Sequence, residues 1–186
     1  MKTIVIGCGA TIEKGGDIRD TPPWYPFAFH RHSNCITVDN DAACSPSILM
    51  DFVTVDVKMI NTQLSYQKFD LIVLENLPID IYYTPEQFIR LIMNCHSILS
   101  EIGQVFIPRA MDPALLKKYF THRGFKLVLE HRDMSVIYPL ISAFVGSLAD
   151  DYITFAQNMN KKMLRSCYRM KGFPYLLFRP IIYYSI

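Results

Sequence analysis

Apolar positions along this chain fall into short runs divided by turn-forming stretches, and their spacing switches repeatedly between the period of a strand and that of a helix. The run TIVI at 3–6 is wholly β-branched and ends in Gly7-Cys8-Gly9, which predicts a first strand. Residues 10–34 break the pattern. Gly15, Gly16, Pro22, Pro23 and Pro26 leave room for a turn or two of helix before a long loop, TPPWYPFAFHRHSN, rich in aromatics and histidine. A second strand at 35–38 runs into Asp39-Asn40-Asp41, and a short third strand at 48–52 carries Asp51. The continuous run FDLIVL at 69–74 has the character of a central strand buried on both faces, and it ends at Glu75-Asn76. Thr84-Pro85-Glu86-Gln87 then announces a helix, with Thr84 as N-cap, Pro85 in the first turn and Gln87 completing a capping box. Its buried stripe is Phe88, Leu91, Ile92, Cys95 and Leu99. A fifth strand follows at 104–108. Asp112-Pro113 opens another helix carrying Leu115, Leu116, Tyr119 and Phe120, Gly124 stops it, and a sixth strand occupies 125–130.

Two readings remain open for the C-terminal part. Residues 135–140 could pair with the sixth strand as a hairpin. Alternatively 140–172 is a helical insertion and the antiparallel strand is YLLFRPIIYY at 175–184, where Pro180 implies an edge or a break. The second is favoured because that run is longer and richer in β-formers. Alternation of strand and helix in either case predicts an α/β fold with a mostly parallel sheet and an antiparallel last strand.

Composition narrows the class. With 186 residues, 51% of them apolar, the chain predicts one domain, 1–186, with ample core. Charged residues make up 19% and the net charge is +2, so the composition is neither that of a disordered chain nor that of a polybasic coat. Five cysteines, odd and few, suggest reduced thiols in a cytoplasmic setting. No signal peptide is expected, since the apolar start is cut short by Glu13 and Lys14. The longest uncharged stretch, 134–149, holds Pro139 and Gly146 and is shorter than the ~20 apolar residues of a spanning helix, so no membrane partner is expected. Charge is also uneven. Beyond Asp151 there are six basic residues and no acid, against 13 basic and 17 acidic residues in the first 151.

Three features meet at the strand ends where ligands bind in an open parallel sheet. A glycine turn follows the first strand, an acid follows the second, and another acid lies in the third. Glycine lets a backbone approach a ligand closely, and a carboxylate after the second strand is placed to accept both hydroxyls of a ribose. A nucleoside-containing cofactor is the natural inference.

On these residues the sequence resembles the class I S-adenosylmethionine-dependent methyltransferases over about 1–130. TIVIGCGA is similar to the family's glycine motif, ITVDND to its ribose-binding acid, PSILMDF to the segment whose acid meets the adenine, and FDLIVLENL to its fourth motif. The stretch FIRLIMNCHSILSEIGQVFIP resembles the family's helix, glycine turn and fifth strand. The resemblance implies a Rossmann-like methyltransferase fold that binds S-adenosylmethionine and transfers its methyl group to an acceptor. By position, Gly7, Cys8, Gly9 and Ala10 would line the methionine end and Asp39 would hold the ribose. Asn40, Asp51 and Phe52 would surround the adenine, and Glu75 with Asn76 would face the reacting methyl. The chain departs from the family in three ways. Val5 stands where an acid is usual, a proline-rich loop replaces the helix after the glycine turn, and the usual N-terminal helices are expected to be missing. These departures motivate a different reading, a catalytically inactive interaction module on the same fold.

Other motifs point more weakly elsewhere. An NAD-binding oxidoreductase would need glycine or alanine at the third fingerprint position, which is Ile12. His30, His32, Cys35 and Cys44 lack the paired spacing of a zinc site, so no metal is expected. Trp24, Tyr25, His30 and His32 instead suggest a substrate-facing lid. Asn76-Leu77-Pro78 resembles the motif of exocyclic-amine methylases, but Ile79 stands where the stacking aromatic should be. In the C-terminal stretch, Lys161, Arg165 and Arg169 share one helical face and could meet RNA or an acidic protein.

Overall fold

The computed structural model describes residues 2–8, 35–75, 77, 83–107, 112–131 and 175–180. Seven strands form one sheet in the order β3-β2-β1-β4-β5-β7-β6. They are β1 (Thr3–Ile6), β2 (Cys35–Asp39), β3 (Ile48–Leu49), β4 (Phe69–Leu74), β5 (Leu99–Ile107), β6 (Phe125–His131) and β7 (Tyr175–Pro180). β1 to β5 run parallel, and β7 enters antiparallel between β5 and β6. Among the described residues three α-helices accompany them: α1 (Val57–Gln63), α2 (Pro85–Ile98) and α3 (Pro113–His122).

Helix α2 forms as its sequence dictates. Thr84 Oγ1 accepts from the Gln87 amide and Gln87 Oε1 accepts from the Thr84 amide, so two N-terminal donors are satisfied reciprocally. Phe88, Leu91, Ile92 and Cys95 of the expected stripe are buried, and Asn94 and Ile98 are buried with them. Leu99, the last member of that stripe, already belongs to β5, which begins five residues ahead of the expected start at 104. The reason lies at Gly103. A Cβ there would come within 2.9 Å of the Phe69 carbonyl and 2.8 Å of the Leu99 side chain, so only glycine lets β5 approach β4 this early.

Two further expectations are corrected. The third strand stops at Leu49 rather than reaching 52, because Asp51 starts a turn: its Oδ1 accepts from the Val53 amide and its carbonyl from the Thr54 and Val55 amides. Of the edge or break expected at Pro180, the edge is overturned, because β7 is an interior strand between β5 and β6. Pro180 does no damage there because it is the last residue of β7, opposite Phe125, the first of β6. Helix α1 was not anticipated. Asp56 caps it by accepting from the Met59 amide, and Ile60 is its one buried residue, too few to mark a period. Residues 135–140 and the insertion at 140–172 lie outside the described residues.

The core joins one face of the sheet to the three helices. Ile4, Ile6, Val38, Ile72, Leu74 and Val105 pack with Ile60, Leu91, Ile92, Leu116 and Phe120, all nearly inaccessible. Val5, Leu71, Val73 and Phe106 on the other face are buried as fully. A sheet covered on both faces leaves its strand ends as the place where polar side chains can gather.

Candidate functional site

Strand register builds the site. Ile6 pairs with Val38 on one side and with Leu74 on the other, so the next residues, Gly7, Asp39 and Glu75, stand abreast at the carboxyl edge of the sheet. The Gly7 amide donates to the Val38 carbonyl and the Glu75 amide to the Ile6 carbonyl, both at 2.9 Å, which carries the ladder one step beyond the strands. With neighbouring strands ~4.8 Å apart, Asp39 and Glu75 flank Gly7 across ~10 Å of sheet edge. Gly7 has φ +70, which a side chain would oppose.

The two aspartates of the row, Asp39 and Asp51, are fixed by local hydrogen bonds. Asp39 is half-buried and its Oδ1 accepts from the Asp41 amide at 3.0 Å. Asp41 in turn caps the short 3-10 turn Ala42–Cys44, and Asn40 is exposed between them. Glu75 is only 4% exposed. β3 continues the row, since the Met50 amide donates to the Asp39 carbonyl at 2.8 Å and brings half-buried Asp51 to the same edge. Phe52 is 2% exposed, and its ring belongs to the core beneath the row.

Two neighbouring groups register the negative field. Cys8, 2% exposed, donates its thiol to Asp39 and is pushed up to about 12, first by burial and then by the charges of Asp39, Cys44 and Glu75. Tyr83, likewise pushed up to about 12, responds first to burial and then to Asp51 and Asp39. Its ring meets Phe88 edge-on, with centroids 6.3 Å apart. Tyr83 was missed in the sequence, although a signal was present. It precedes the N-cap Thr84, and Phe88 is the fourth helical residue, the two positions of a hydrophobic staple.

The structure thus brings Gly7, Cys8, Asp39, Asp51 and Glu75 to one edge, with Asn40 beside them and Phe52 beneath. Gly9, Ala10, Asn76, Trp24, Tyr25, His30 and His32 lie outside the described residues, as do Lys161, Arg165 and Arg169. Among the described residues no group of three or more His, Cys, Asp or Glu side chains could hold a metal ion. Among them, too, no helix is long and apolar enough to cross a membrane. Chemically the edge offers carboxylate acceptors for hydroxyl or amino donors and a negative surround for a cationic ligand.

No protein-family model and no curated protein matches the sequence. Solved structures do match the fold. An S-adenosylmethionine-dependent methyltransferase from Clostridium acetobutylicum superposes with a TM-score of 0.53 at 9% identity, over 97% of this chain and 84% of that one. A TehB-like S-adenosylmethionine-dependent methyltransferase from Corynebacterium glutamicum gives 0.51 at 12% identity, over 96% and 80%. The chain has the Rossmann-like methyltransferase fold, mostly parallel with an antiparallel strand inserted near one edge.

Proposed function

We propose that the protein binds S-adenosylmethionine at the carboxyl edge of β1, β2 and β4 and transfers its methyl group to an acceptor. The observation that carries this reading is the abreast row of Gly7, Asp39 and Glu75, extended by Asp51. A ribose presents two hydroxyl donors and adenine an amino donor, all suited to carboxylate acceptors. The sulfonium is positive, so an acidic edge favours it, whereas three carboxylates oppose the pyrophosphate of a dinucleotide. The inserted β7 adds to the contrast, because the dinucleotide fold orders its strands 3-2-1-4-5-6 without it.

Asp39 would hold the ribose, Asp51 the amino edge of the adenine, and the Gly7 turn would admit the methionine portion. Bound S-adenosylmethionine would supply an electrophilic methyl group on sulfur. Glu75, buried beside that position, would then orient the acceptor or take its proton, while the surrounding edge holds donor and acceptor in line. Calorimetry with S-adenosylmethionine, S-adenosylhomocysteine and NADH tests the reading. Both sulfur ligands should bind and NADH should not. Binding of neither sulfur ligand would leave the inactive interaction module as the better account.

A further inference from the structure

Helix α2 reaches behind the site and grips the turn that presents Asp51. Asn94, fully buried in the middle of that helix, donates from Nδ2 to the carbonyls of Phe52 at 2.7 Å and Val55 at 3.2 Å. One turn earlier, exposed Arg90 donates from Nη1 to the Thr54 carbonyl at 2.7 Å. Three of the four carbonyls of the 52–55 backbone, those of Phe52, Thr54 and Val55, are therefore tied to one helix. The ties complement those that Asp51 makes itself, since Asp51 satisfies the amides of the turn while α2 satisfies its carbonyls.

The choice of asparagine has a cost. Asn94 Oδ1 is buried without a hydrogen-bond partner among the described residues, and the amide cannot be turned over because its oxygen, an acceptor, would then face the Phe52 and Val55 carbonyls, which need a donor. A leucine would fill this position among Leu91, Ile92, Cys95 and Ile98 without burying an unsatisfied oxygen. What asparagine provides is a fixed depth and tilt for the turn that opens with Asp51.

We propose that Asn94, assisted by Arg90, is a positioning residue that sets the Asp51 carboxylate at the height of the base edge and so determines the site's preference for adenine. The proposal rests on the reading of this edge as an adenosyl pocket. In that pocket the exocyclic amine of adenine donates to Asp51, and a 6-oxo base has no such donor. Purine selectivity thereby depends on how firmly α2 holds a turn that Asn94 and Arg90 touch only through its backbone.

The test compares S-adenosylhomocysteine with S-inosylhomocysteine by calorimetry on the full chain, with circular dichroism and thermal melts to verify folding. Wild type should prefer the adenine ligand by roughly tenfold or more, the scale of one lost hydrogen bond to a charged group. Asn94→Ser should bring the two ligands to within about threefold by weakening only the adenine ligand, and Arg90→Met should move the ratio part of the way. Asp51→Asn keeps the acceptor for the Val53 amide but removes the charge. It should lower the preference by itself, and adding Asn94→Ser to it should lower the preference no further. Equal weakening of both ligands by Asn94→Ser, or effects that simply add in the double variant, would assign Asn94 a purely structural role and overturn the proposal. If Asn94→Ser does not fold, an unchanged ratio in Arg90→Met overturns it instead. Tight binding of both ligands by wild type without preference defeats this inference and leaves the cofactor reading standing. Binding of neither ligand defeats both.

Discussion

The two ends of the sheet use similar strands for different purposes. At β1, β2 and β4 the strand side chains in the core are aliphatic except for Phe69, and the strands finish in Gly7, Asp39 and Glu75. At β5, β7 and β6 the interior is aromatic. Phe106, Phe120, Phe125 and Phe178 are all inaccessible to solvent, with Phe120 stacked on Phe178 at 4.4 Å and edge-on to Phe125 at 5.3 Å. The His96 ring lies 4.1 Å from Phe125 while its Nε2 bonds the Arg123 carbonyl, closing that end. One end gathers carboxylates at the ends of its strands, and the other packs aromatic rings in its interior. Stability and binding are therefore separable, and mutations at the two ends should affect different measurements.

The largest effect is expected at the aromatic end. Phe178→Ala removes a fully buried ring stacked on Phe120 and touching both β5 and β6 through its strand, so it should cost about 3–5 kcal/mol of folding stability. Denaturant titration measures this. At a temperature where the variant remains folded, its affinity for S-adenosylhomocysteine should match wild type. A large loss of affinity in the folded variant would mean that the two ends are coupled.

At the acidic end the order reverses. Asp39→Ala should weaken binding of S-adenosylmethionine by ~1–3 kcal/mol, the cost of leaving ligand hydroxyls without their acceptor. Folding stability should change far less, because Asp39 ends its strand and is half-buried, with its side chain bonded to the Asp41 amide and the Cys8 thiol. Calorimetry and a melt on the same sample give both numbers. Unchanged affinity in a folded variant would remove the ribose assignment and with it the division between the ends.

What the sequence disclosed follows the same division. Elements with strong local signals were legible: FDLIVL reads as β4 to the residue, and the Thr84 to Gln87 box places the start of α2. Glycine and acid at the ends of β1 and β2 were legible too, because strand ends in a parallel sheet are where ligands bind. Three features were not. α1 buries only Ile60, the early start of β5 depends on the space at Gly103, and the position of β7 between β5 and β6 is a long-range pairing that no local period encodes. Within the site, no local pattern marks Asn94. Its meaning lies in the carbonyls of Phe52 and Val55, some forty residues away.

The smallest expected effect bears on the negative field itself. Cys8 is raised from the ordinary thiol value near 9 to about 12, mainly by burial and secondarily by Asp39, Cys44 and Glu75. Alkylation requires the thiolate, so iodoacetamide at pH 8 should modify Cys8 far more slowly in the folded protein than in denaturant. The sign for stability follows from the raised value. The folded state disfavours the thiolate, so this contribution is complete below pH 9 and is lost as pH climbs from 9 toward 12. Cys35, raised to about 11, and Tyr83, raised to about 12, act in the same direction. Melting temperature should therefore fall across that alkaline window, and Cys8→Ala should make the fall shallower. Asp39→Asn provides the sharper measurement because it removes a charge and leaves the burial. Since burial is the larger cause, the variant should speed Cys8 alkylation at pH 8 by less than about tenfold, under one pKa unit. Mass spectrometry of the modified peptide reads the rate. No acceleration at all would mean that Asp39 contributes no field at Cys8 and that burial alone protects the thiol.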